Sequence, residues 1–586
     1  MNYNILNDDT FGMSLLDVVL DNRGLTESQM EELLNPSIEN VEIPFHLLNM
    51  DKAIELFIKE LDNESNIGIL LDTDVDGYTS SALLYQFLVK ECNYDKSKIQ
   101  LFLHENKEHG LTDEKVLKEI KKSNIDFLIM PDAGTNDLKE VKELLKLGKR
   151  VLTLDHHHQN NEEDVNIIKD QNGNLVYVLV NNQLKDVSTS LSGVGVVWKF
   201  LSAMTEDELE HYLDLVAVGN VADSMNINNL ELRYIVNKGL SNIKNKLFKE
   251  LLDKESYTPT DVSFNIANKI NAVCRYGSNE EKLDTFKALA EFNEEREYKN
   301  RKTGKVEMQP IEKYMARVIG NVKTRQDNAV KESMKKVSKY IEDNNCLDHK
   351  IILIVNEKKG NGLLRQNIGG LVATKIADKY KRPTIILHKH EDIYSGSMRG
   401  FGVDDFASIL QQTEIVETIG HKNASGVFVK KSDIPRLMKR LDRVMEDVDI
   451  SLEEKGHDVD CVIDIDDLTK HDFKQFESMK KIWFGFCKEP VFLIKDVVIS
   501  EAEFRNPFVT LLTFKYNGYK FDKNFCSKVF LDDVLHRAEK RFGRVNFKCN
   551  ILVKLGTNEF NKDGYFEVVD METEIVDKKE DKKIPF

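Results

Sequence analysis

Residues 69–84 read ILLDTDVDGYTSSALL, and this stretch decides the fold. Its apolar beginning predicts a buried strand, and the residues after Gly77 predict a helix. Similar apolar runs alternate with helical patterns from residue 67 to about residue 240, as in IDFLIMPD, DLKEVKELLKLG and RVLTLD. That alternation predicts a mostly parallel sheet with helices on its faces.

Three alternating aspartates, Asp72, Asp74 and Asp76, directly follow the first predicted strand. Carboxylates this close together repel one another unless a cation lies between them. In open α/β sheets, ligands bind at the carboxyl ends of the strands. The pattern therefore favours a cation site over a solvated acidic turn.

Three further segments place polar residues after apolar runs. Asp132 follows a strand-like run in LIMPDAGTND, residues 155–158 (DHHH) end another, and Asp223 ends LDLVAVGNVADSM. Taken singly, Asp132 and Asp223 also fit helix caps, and His158 is the least expected ligand of its run. Imidazole beside carboxylate suits Mn²⁺, Zn²⁺ or Fe²⁺ better than Ca²⁺. Together these segments supply ligands for two divalent cations, an arrangement that hydrolyses phosphodiesters.

The motif order, DxDxDG, an aspartate after a strand, DHH and an aspartate after an apolar helix, resembles that of the DHH phosphoesterase superfamily. Other segments resemble the RecJ-like exonucleases within it: NRGLTESQMEELLNP, SLSGVGVVWKFL, INAVCRYG, GSMRGFG, GHKNASGV, WFGFCKEPVF and LGTNEFNKDGYFEVVD. The resemblance runs from about residue 23 to about residue 573. It implies a metal-dependent exonuclease that degrades single-stranded DNA from 5′ to 3′ with water activated by two cations. The implied products are 5′-mononucleotides, and the implied processes are DNA repair, recombination and replication.

The resemblance also implies roles for individual residues. The implied ligands of two divalent cations, Mn²⁺ foremost and Mg²⁺ as the alternative, are Asp74, Asp76, Asp132, His156 and Asp223. His157 is implied in catalysis at the scissile phosphate, and Asp155 and Asp72 either bind metal or support its ligands. The implied substrate-binding residues are Ser397, Arg399, His421, Gly426, Arg275, Asn271 and His104. For Asn271 and Arg275 a structural cap fits nearly as well.

Three departures from the family pattern fall among the implied substrate-binding segments. Ile419 stands where a glycine usually precedes Gly420, which makes the backbone before His421 less permissive. LLRQNIGG stands in place of a WHxG-like turn, so Arg365 and Asn367 are expected to rearrange the phosphate contacts there. His104 stands where the family has an arginine that helps to hold the 5′ end.

The element pattern and the resemblance together predict an α/β multidomain chain of six regions. These are an N-terminal lead (1–45), a parallel-sheet DHH catalytic domain (46–245), a helical connector (246–345), a smaller α/β DHH-associated substrate-binding domain (346–450), an OB-like nucleic-acid-binding β-barrel (458–577) and a disordered tail (578–586). Within the barrel, Asn517-Gly518 predicts a two-residue hairpin turn. At 586 residues the chain is too long for a single core, in agreement with this division.

Composition limits the partners and the cellular compartment. A net charge of -17 indicates that any DNA path is a local basic groove rather than a basic surface. The seven scattered cysteines form no CxxC pair, which argues against a disulfide framework and a zinc ribbon. Without a bilayer-length apolar run or a signal-peptide pattern, we expect a cytoplasmic monomer with no membrane association. Its expected partners are single-stranded DNA and, in the cell, single-strand-binding protein or a helicase.

Two other functions remain open at this stage. The first is a DHH phosphodiesterase that acts on RNA or short oligonucleotides, although short-substrate members would not be expected to carry the terminal barrel. The second is a non-catalytic replication scaffold of the same superfamily. The complete set of ligand residues argues against the scaffold.

Overall fold

A computed structural model describes most of the chain. The residues outside the description are 9, 106–108, 162–164, 185–189, 206–208, 228, 253–256, 301–302, 358–361, 452–455, 481, 484–486, 500–501, 506–510, 524–546, 558–562 and 576–586. The predicted disordered tail, 578–586, therefore lies outside the described residues. Among the residues that are described, no helix combines the length and the apolar character needed to cross a membrane.

The helices and strands follow one another along the chain in this order. Up to residue 62 they are β1 (Tyr3–Ile5), α1 (Leu15–Asn22), α2 (Glu27–Leu34) and α3 (Met50–Asp62). Up to residue 222 they are β2 (Ile67–Leu71), α4 (Val75–Gln86), β3 (Ile99–Leu103), α5 (Glu114–Lys122), β4 (Phe127–Pro131), α6 (Leu138–Lys146), β5 (Arg150–Asp155), β6 (Ile167–Lys169), β7 (Leu175–Asn181), α7 (Gly193–Ser202) and α8 (Leu213–Ala222). Up to residue 343 they are α9 (Leu230–Ser241), α10 (Lys246–Leu251), α11 (Pro259–Val262), α12 (Asn268–Tyr276), α13 (Asn279–Leu289), β8 (Glu295–Lys299), β9 (Val306–Pro310) and α14 (Ile311–Asp343).

The remaining elements include the strands of two further sheets and β15 (His457–Val459), which pairs with β1. Up to residue 445 they are β10 (Ile352–Asn356), α15 (Gly369–Tyr380), β11 (Thr384–Lys389), β12 (Ile393–Arg399), α16 (Phe406–Gln411), β13 (Val416–His421), β14 (Ala424–Lys430) and α17 (Ile434–Met445). The last are β15 (His457–Val459), β16 (Cys461–Val462), α18 (Lys470–Ser478), β17 (Phe492–Ile499), β18 (Ala502–Arg505), β19 (Leu511–Tyr516), β20 (Tyr519–Lys523), β21 (Phe547–Thr557) and β22 (Gly564–Ile575).

These elements belong to two compact units. The first unit comprises Met1–Asn40, Ile227–Tyr234 and Glu453–Phe586, and the second comprises Val41–Asn226 and Ile235–Leu452. The amino-terminal residues thus belong with the carboxyl-terminal region, which the sequence pattern did not indicate. Apart from Ile227–Tyr234, the predicted catalytic domain, helical connector and DHH-associated domain lie together in the second unit. The division of the chain into six regions therefore stays a prediction.

The second unit contains the sheet that carries the DHH-like motifs. Its strand order is β3-β2-β4-β5-β7-β6, with β6 antiparallel to β7 and the other pairs parallel. Strands β2 and β4 are buried along their whole length, as expected for a sheet with helices on both faces. The predicted parallel sheet is confirmed. Because β2, β4 and β5 are neighbours, the polar residues that follow them meet at one edge.

Residues 246–345 are mainly helical, as the sequence indicated, but they include a β-hairpin. Strands β8 and β9 pair antiparallel between helices α13 and α14. Most of their side chains are partly or fully exposed, so the apolar alternation that reveals a half-buried strand is missing. The sequence pattern gave little sign of this hairpin for that reason.

The smaller α/β region of the second unit is also present. Its sheet has the order β10-β11-β12-β14-β13, in which β10 and β11 are parallel and the other pairs are antiparallel. In this register Ser397 lies opposite Gly426. The motifs GSMRG and GHKNASG therefore lie side by side although they are more than twenty residues apart in the sequence.

The first unit is built around a sheet of order β16-β17-β21-β22-β20-β19-β18. The predicted hairpin is confirmed: β19 and β20 pair antiparallel, and Asn517 and Gly518 both have positive φ, as a type I′ turn requires. Phe514 and Phe521 stack on each other within the core. The OB-like barrel itself stays a prediction.

Asp460 fastens the amino-terminal helix to the rest of the first unit. It is 1% exposed and pairs with the Arg23 guanidinium through both carboxylate oxygens. Its Oδ1 atom also accepts from Asn22 Nδ2 at 3.1 Å, and its Oδ2 atom accepts from the Val491 amide at 3.0 Å. The carboxylate is thus fully hydrogen-bonded where it is buried.

We expect Asp460→Ala to destabilise the first unit by about 3 kcal/mol, because it leaves the buried Arg23 charge without its partner. Thermal or urea unfolding followed by circular dichroism measures the loss. The matched control is Asp327→Ala, which removes an exposed partner of Lys323 and is expected to change stability little. Equal stability of Asp460→Ala and the wild type would contradict the anchoring role.

Candidate metal centre

Asp74 and Asp76 lie at the start of helix α4. Asp74 caps this helix, and its Oδ1 atom accepts from the Gly77 amide at 3.1 Å. Asp76, two residues further on, is held by the start of helix α7. Its donors are Ser192 Oγ at 2.8 Å, Gly193 N at 2.7 Å and Val194 N at 3.1 Å. The helix N-terminus stabilises the Asp76 carboxylate in its charged form.

Asp72 lies at the carboxyl end of β2 and is 1% exposed. Its Oδ2 atom contacts His109 Nδ1 at 2.7 Å, whereas its Oδ1 atom is buried without a hydrogen-bond partner. A buried carboxylate oxygen without a donor is costly. Asp72 therefore offers one oxygen to a ligand that the protein itself does not supply.

His104, which we expected near the strand end, is not at the surface. Its side chain is fully buried, and Nδ1 contacts Asp113 Oδ2 at 3.2 Å. Burial lowers the pKa of His104, which favours the neutral imidazole. The half-exposed histidine of this segment, next to the aspartates, is instead His109. The structure thus does not support a direct substrate contact by His104.

Asp132 follows β4 with a left-handed backbone, φ 61°, and is 1% exposed. Its Oδ1 atom has no hydrogen-bond partner. The start of α7 approaches it so closely that a Cβ atom on Gly193 would lie 2.4 Å from Oδ1, so a glycine is required there. Burial, together with the charges of Asp76 and Asp74, raises the pKa of Asp132 well above its ordinary value.

His156 lies at the centre of three carboxylates. Its Nε2 atom is 3.3 Å from Asp132 Oδ1, 3.6 Å from Asp223 Oδ2 and 3.8 Å from Asp76 Oδ2. Asp223 ends helix α8 and keeps 38% of its side chain exposed. Four of the five predicted ligands therefore converge on one point.

Asp155 orients the neighbouring histidine rather than facing the cluster. Its Oδ1 atom contacts His157 Nδ1 at 2.7 Å and accepts from the His156 amide, also at 2.7 Å. Its Oδ2 atom accepts from both the amide and the hydroxyl of Thr135. With both oxygens occupied, Asp155 supports His157, whose Nε2 atom is left for another partner.

The ligand atoms form groups of metal-binding size. Among the described residues, three sets have ligand atoms within 4.8 Å of one another: Asp72, Asp74 and Asp132; Asp76, His156 and Asp223; and Asp132, His156 and His157. The first two sets share no residue. The third set contains Asp132 from the first set and His156 from the second, and so links them. Oxygen-rich sets with one imidazole fit Mn²⁺ or Mg²⁺. The unpaired oxygens of Asp72 and Asp132 fit such ions as well.

The other predicted substrate-binding residues lie in the smaller α/β region and on helix α12. Ser397 and Arg399 are on β12, and His421 and Gly426 are on the neighbouring hairpin. Burial and the charge of Arg275 lower the pKa of Arg399 without making it neutral at ordinary pH. Arg275 and Arg399 thus lie near each other, a local positive region in an acidic chain.

The two residues that replace the WHxG-like turn both contact α12. Asn367 Nδ2 donates to the Arg275 carbonyl at 2.7 Å, and the Arg365 guanidinium lies 5.3 Å from the Tyr276 ring centre. Asn271, on the same helix, has a buried Oδ1 atom without a partner. The contacts in this region are therefore rearranged around α12.

Several positioning residues were not identified from the sequence. They are Ser192 and Gly193 at the start of α7, Thr135 and Asn181 around Asp155 and His157, and His109 beside Asp72. Asn181 donates to Thr135 Oγ1 and to the His157 carbonyl, both at 2.8 Å. The two histidines of LFLHENKEHGLT were a signal, but the sequence alone did not distinguish between them.

The fold and the metal centre together define a protein of the DHH type. Residues 66–220 match the family model described as DHH family, N-terminal domain. Over 557 residues the chain is 30% identical to an SPbeta prophage-derived single-strand DNA-specific exonuclease, YorK, of Bacillus subtilis, covering 90% of this chain and 92% of that protein. The chain belongs to the RecJ-like family of DHH exonucleases.

Two further relatives agree with this assignment. The chain is 24% identical to the single-stranded-DNA-specific exonuclease RecJ of Bacillus subtilis, over 78% of this chain and 56% of that protein. The fold is similar to that of Thermus thermophilus RecJ crystallised with Mn²⁺, with a TM-score of 0.67 and 19% identity. That similarity covers 95% of this chain and 76% of the other.

We expect the metal-free protein to lose stability as the pH rises from about 4 to about 8. Desolvation, together with the charges of Asp76 and Asp74, raises the pKa of Asp223 to about 8. When an acid has a higher pKa in the folded state, the unfolded chain ionises first as the pH rises. The folded state then loses stability relative to the unfolded chain. The penalty thus grows as the pH rises towards the folded-state pKa. Thermal unfolding in EDTA across this range measures the loss.

Asp223→Asn is the matched variant for this experiment, because it removes one titrating carboxylate and should reduce the pH dependence. The raised pKa of Asp132 accounts for the part that remains. Saturating Mn²⁺ at pH 8 should restore stability to the wild type, by about 2.7 kcal/mol at a hundredfold excess over Kd. A stability that rises with pH in EDTA would contradict the crowding of carboxylates described above.

Proposed function

We propose that this chain is an exonuclease that hydrolyses single-stranded DNA from 5′ to 3′ and releases 5′-mononucleotides. The observation that carries the proposal is the convergence of Asp76, Asp132, Asp223 and His156 at one edge of a parallel sheet. The names of the RecJ and YorK relatives supply the substrate class. DNA repair, recombination and replication are the processes that would use this activity.

The residues of the centre would hold two divalent cations, Mn²⁺ foremost and Mg²⁺ as the alternative. Asp74, Asp76, Asp132, His156 and Asp223 are the proposed ligands, and the unpaired oxygen of Asp72 adds a further donor. Such cations lower the pKa of water and neutralise phosphate charge. The protein contributes a fixed set of ligands, since the backbone of α7 and the Ser192 hydroxyl hold Asp76 in place.

His157 is proposed to stabilise negative charge that develops on the scissile phosphate or on the leaving oxygen. Burial alone would lower the pKa of His157, but its hydrogen bond to Asp155 and the charge of that carboxylate raise it to about 10. The imidazole therefore carries a proton on each nitrogen at neutral pH. Nδ1 binds Asp155, and half of the side chain is exposed, so Nε2 can donate to a phosphate oxygen.

The phosphate backbone of the strand is proposed to lie along Arg275 and Arg399. Guanidinium groups bind phosphate oxygens in a fixed planar geometry, and contacts with the backbone do not depend on base sequence. Four further residues complete the proposed contacts: Ser397 on the strand of Arg399, Asn271 on the helix of Arg275, and His421 and Gly426 on the hairpin next to β12. The reaction would thus be selective for strand geometry and tolerant of sequence.

The first unit is proposed to be an OB-like domain that binds single-stranded DNA. Tyr516 and Tyr519 flank its confirmed hairpin turn and are partly exposed. Because the Tyr519 ring already stacks on Phe473, Tyr516 is the proposed base-stacking side chain. The enzyme is proposed to act as a cytoplasmic monomer with single-strand-binding protein or a helicase as partners. Single-stranded DNA is the proposed substrate of the second unit.

We expect Mn²⁺-dependent release of a labelled mononucleotide at the first turnovers from single-stranded DNA labelled at its 5′ end. The same strand labelled at its 3′ end should release label only late. Asp132→Ala should abolish both signals, because Asp132 links the ligand sets of the centre. RNA and dinucleotides of matched sequence should be poorer substrates. Early release from the 3′ label alone would overturn the proposed polarity.

His157→Ala should lower kcat by about a hundredfold, which is the usual effect of removing one donor to developing charge. Mn²⁺ binding measured by titration calorimetry should change little, since the proposed ligands remain in place. The matched control is His158→Ala, which removes the adjacent exposed histidine and is expected to preserve kcat. Equal kcat values for His157→Ala and the wild type would exclude the proposed role.

A further inference from the structure

A second group of polar side chains lies in the smaller α/β region, outside the metal centre. His388 is near the end of β11, is 7% exposed, and has a buried Nε2 atom without a hydrogen-bond partner. It lies beside the start of helix α15, where a Cβ atom on Gly369 would be 3.4 Å from Nε2. Neither the DHH motifs nor the family resemblance assigns a role to this histidine.

The neighbours of His388 determine which ring nitrogen carries the proton. Asn356 Oδ1 accepts from the Leu363 amide at 3.2 Å, and Asn356 Nδ2 donates to the Leu364 carbonyl at 2.9 Å. These backbone partners fix the orientation of the amide. The same Nδ2 atom faces His388 Nδ1 at 3.2 Å, so Nδ1 is the acceptor. The proton of the neutral ring is therefore on Nε2.

Burial, and to a lesser extent the neighbouring His390, lower the pKa of His388 to about 4, so the ring is neutral at physiological pH. His388 consequently presents one N–H donor that is buried and unsatisfied. A buried donor without an acceptor destabilises a protein, and a bound acceptor would remove that cost. The ligand of this donor must be a hydrogen-bond acceptor.

Other donors converge on the same place. A Cβ atom on Gly370 would lie 2.7 Å from Arg399 Nη2 and 3.6 Å from Ser397 Oγ. Helix α15, twelve residues long, begins here without a side chain capping its first turn. The N-terminus of a helix attracts anions, and the absence of a side chain at Gly370 lets the Arg399 guanidinium approach the first turn of α15. The donors around Gly369 and Gly370 thus fit a tetrahedral oxyanion.

We propose that His388 donates from Nε2 to a phosphate oxygen of the bound strand, in a subsite completed by Ser397, Arg399 and the start of α15. This inference rests on the proposed function for the identity of the anion as a DNA phosphate. The subsite adjoins helix α12, where Asn367 binds the Arg275 carbonyl. Helix α12 packs against α4, the helix that Asp74 caps. A phosphate held by His388 would therefore fix the strand next to the metal centre.

The proposed donor role of His388 fits the replacement of the WHxG-like turn in this chain. In this chain Arg365 lies over the Tyr276 ring and Asn367 binds the Arg275 backbone, so the two substituted side chains are engaged with α12. His388 reaches the start of α15 from β11 and supplies a neutral donor there. The chain thus retains an imidazole beside the phosphate path, from a different position in the sequence.

Two substitutions of His388 distinguish the contribution of Nε2 from that of Nδ1. Gln places its amide nitrogen near the position of Nε2, and Asn places its amide nitrogen near that of Nδ1. His388→Asn should therefore raise KM for single-stranded DNA about tenfold with kcat little changed, as expected when a hydrogen bond to a charged group is lost. His388→Gln should keep KM close to that of the wild type. The matched control is His390→Asn, whose histidine contacts Ser395 Oγ at 2.8 Å instead, and which should leave KM unchanged.

The subsite chemistry fits both the 5′-terminal phosphate and an internal phosphodiester of the strand. Measurements on strands with and without a 5′ phosphate distinguish the two. A larger effect of His388→Asn on the 5′-phosphorylated strand identifies the terminal phosphate, and an equal effect on both strands identifies an internal phosphodiester. Both outcomes support the subsite. Equal KM values for His388→Asn and the wild type on both strands would overturn it.

A second measurement is independent of hydrolysis. Millimolar inorganic phosphate in EDTA should raise the unfolding temperature of the wild type and of His388→Gln, and should raise that of His388→Asn less. If the wild type fails to hydrolyse DNA, the proposed function fails, while the phosphate measurement still tests the anion subsite. Equal stabilisation of all three proteins by phosphate would exclude His388 as the donor.

Discussion

The mutual repulsion of carboxylates at one edge of a parallel sheet is the constraint on which the rest of this structure depends. Asp72, Asp74, Asp76 and Asp132 are brought together by the ends of β2 and β4, and Asp223 joins them from α8. Burial, together with the charges of the neighbouring aspartates, raises the pKa values of Asp74 and Asp132. Divalent cations would remove the energetic cost of bringing these carboxylates together. The arrangement that is unfavourable without a cation is therefore the arrangement that would bind one.

The surrounding residues position each charge that the cations would bind. The start of α7 holds Asp76, and Gly193 allows α7 to approach Asp132. Thr135 occupies one oxygen of Asp155 and leaves the other for His157. Backbone amides thus hold the carboxylates of Asp74 and Asp76 in position.

Local patterns predicted the parts of the molecule that depend on local sequence. The parallel sheet, the Asn517-Gly518 hairpin and the convergence of Asp132 and His156 all follow from short motifs placed after strands. The contacts that were missed join distant residues: Ser192 lies 116 positions from Asp76, and Asn22 lies 438 positions from Asp460. His104 was predicted because it stands where the family has an arginine, whereas its burial against Asp113 appears only in the folded chain. His388 was missed because its role depends on a tautomer set by Asn356.

Anomalous diffraction at the manganese edge, from crystals grown with Mn²⁺, tests the two-cation centre most directly. We expect two peaks: one beside Asp74 and Asp132, and one beside Asp76, His156 and Asp223. Asp132 should lie between them. The absence of a peak among these residues, with manganese bound elsewhere or not at all, would contradict the central claim.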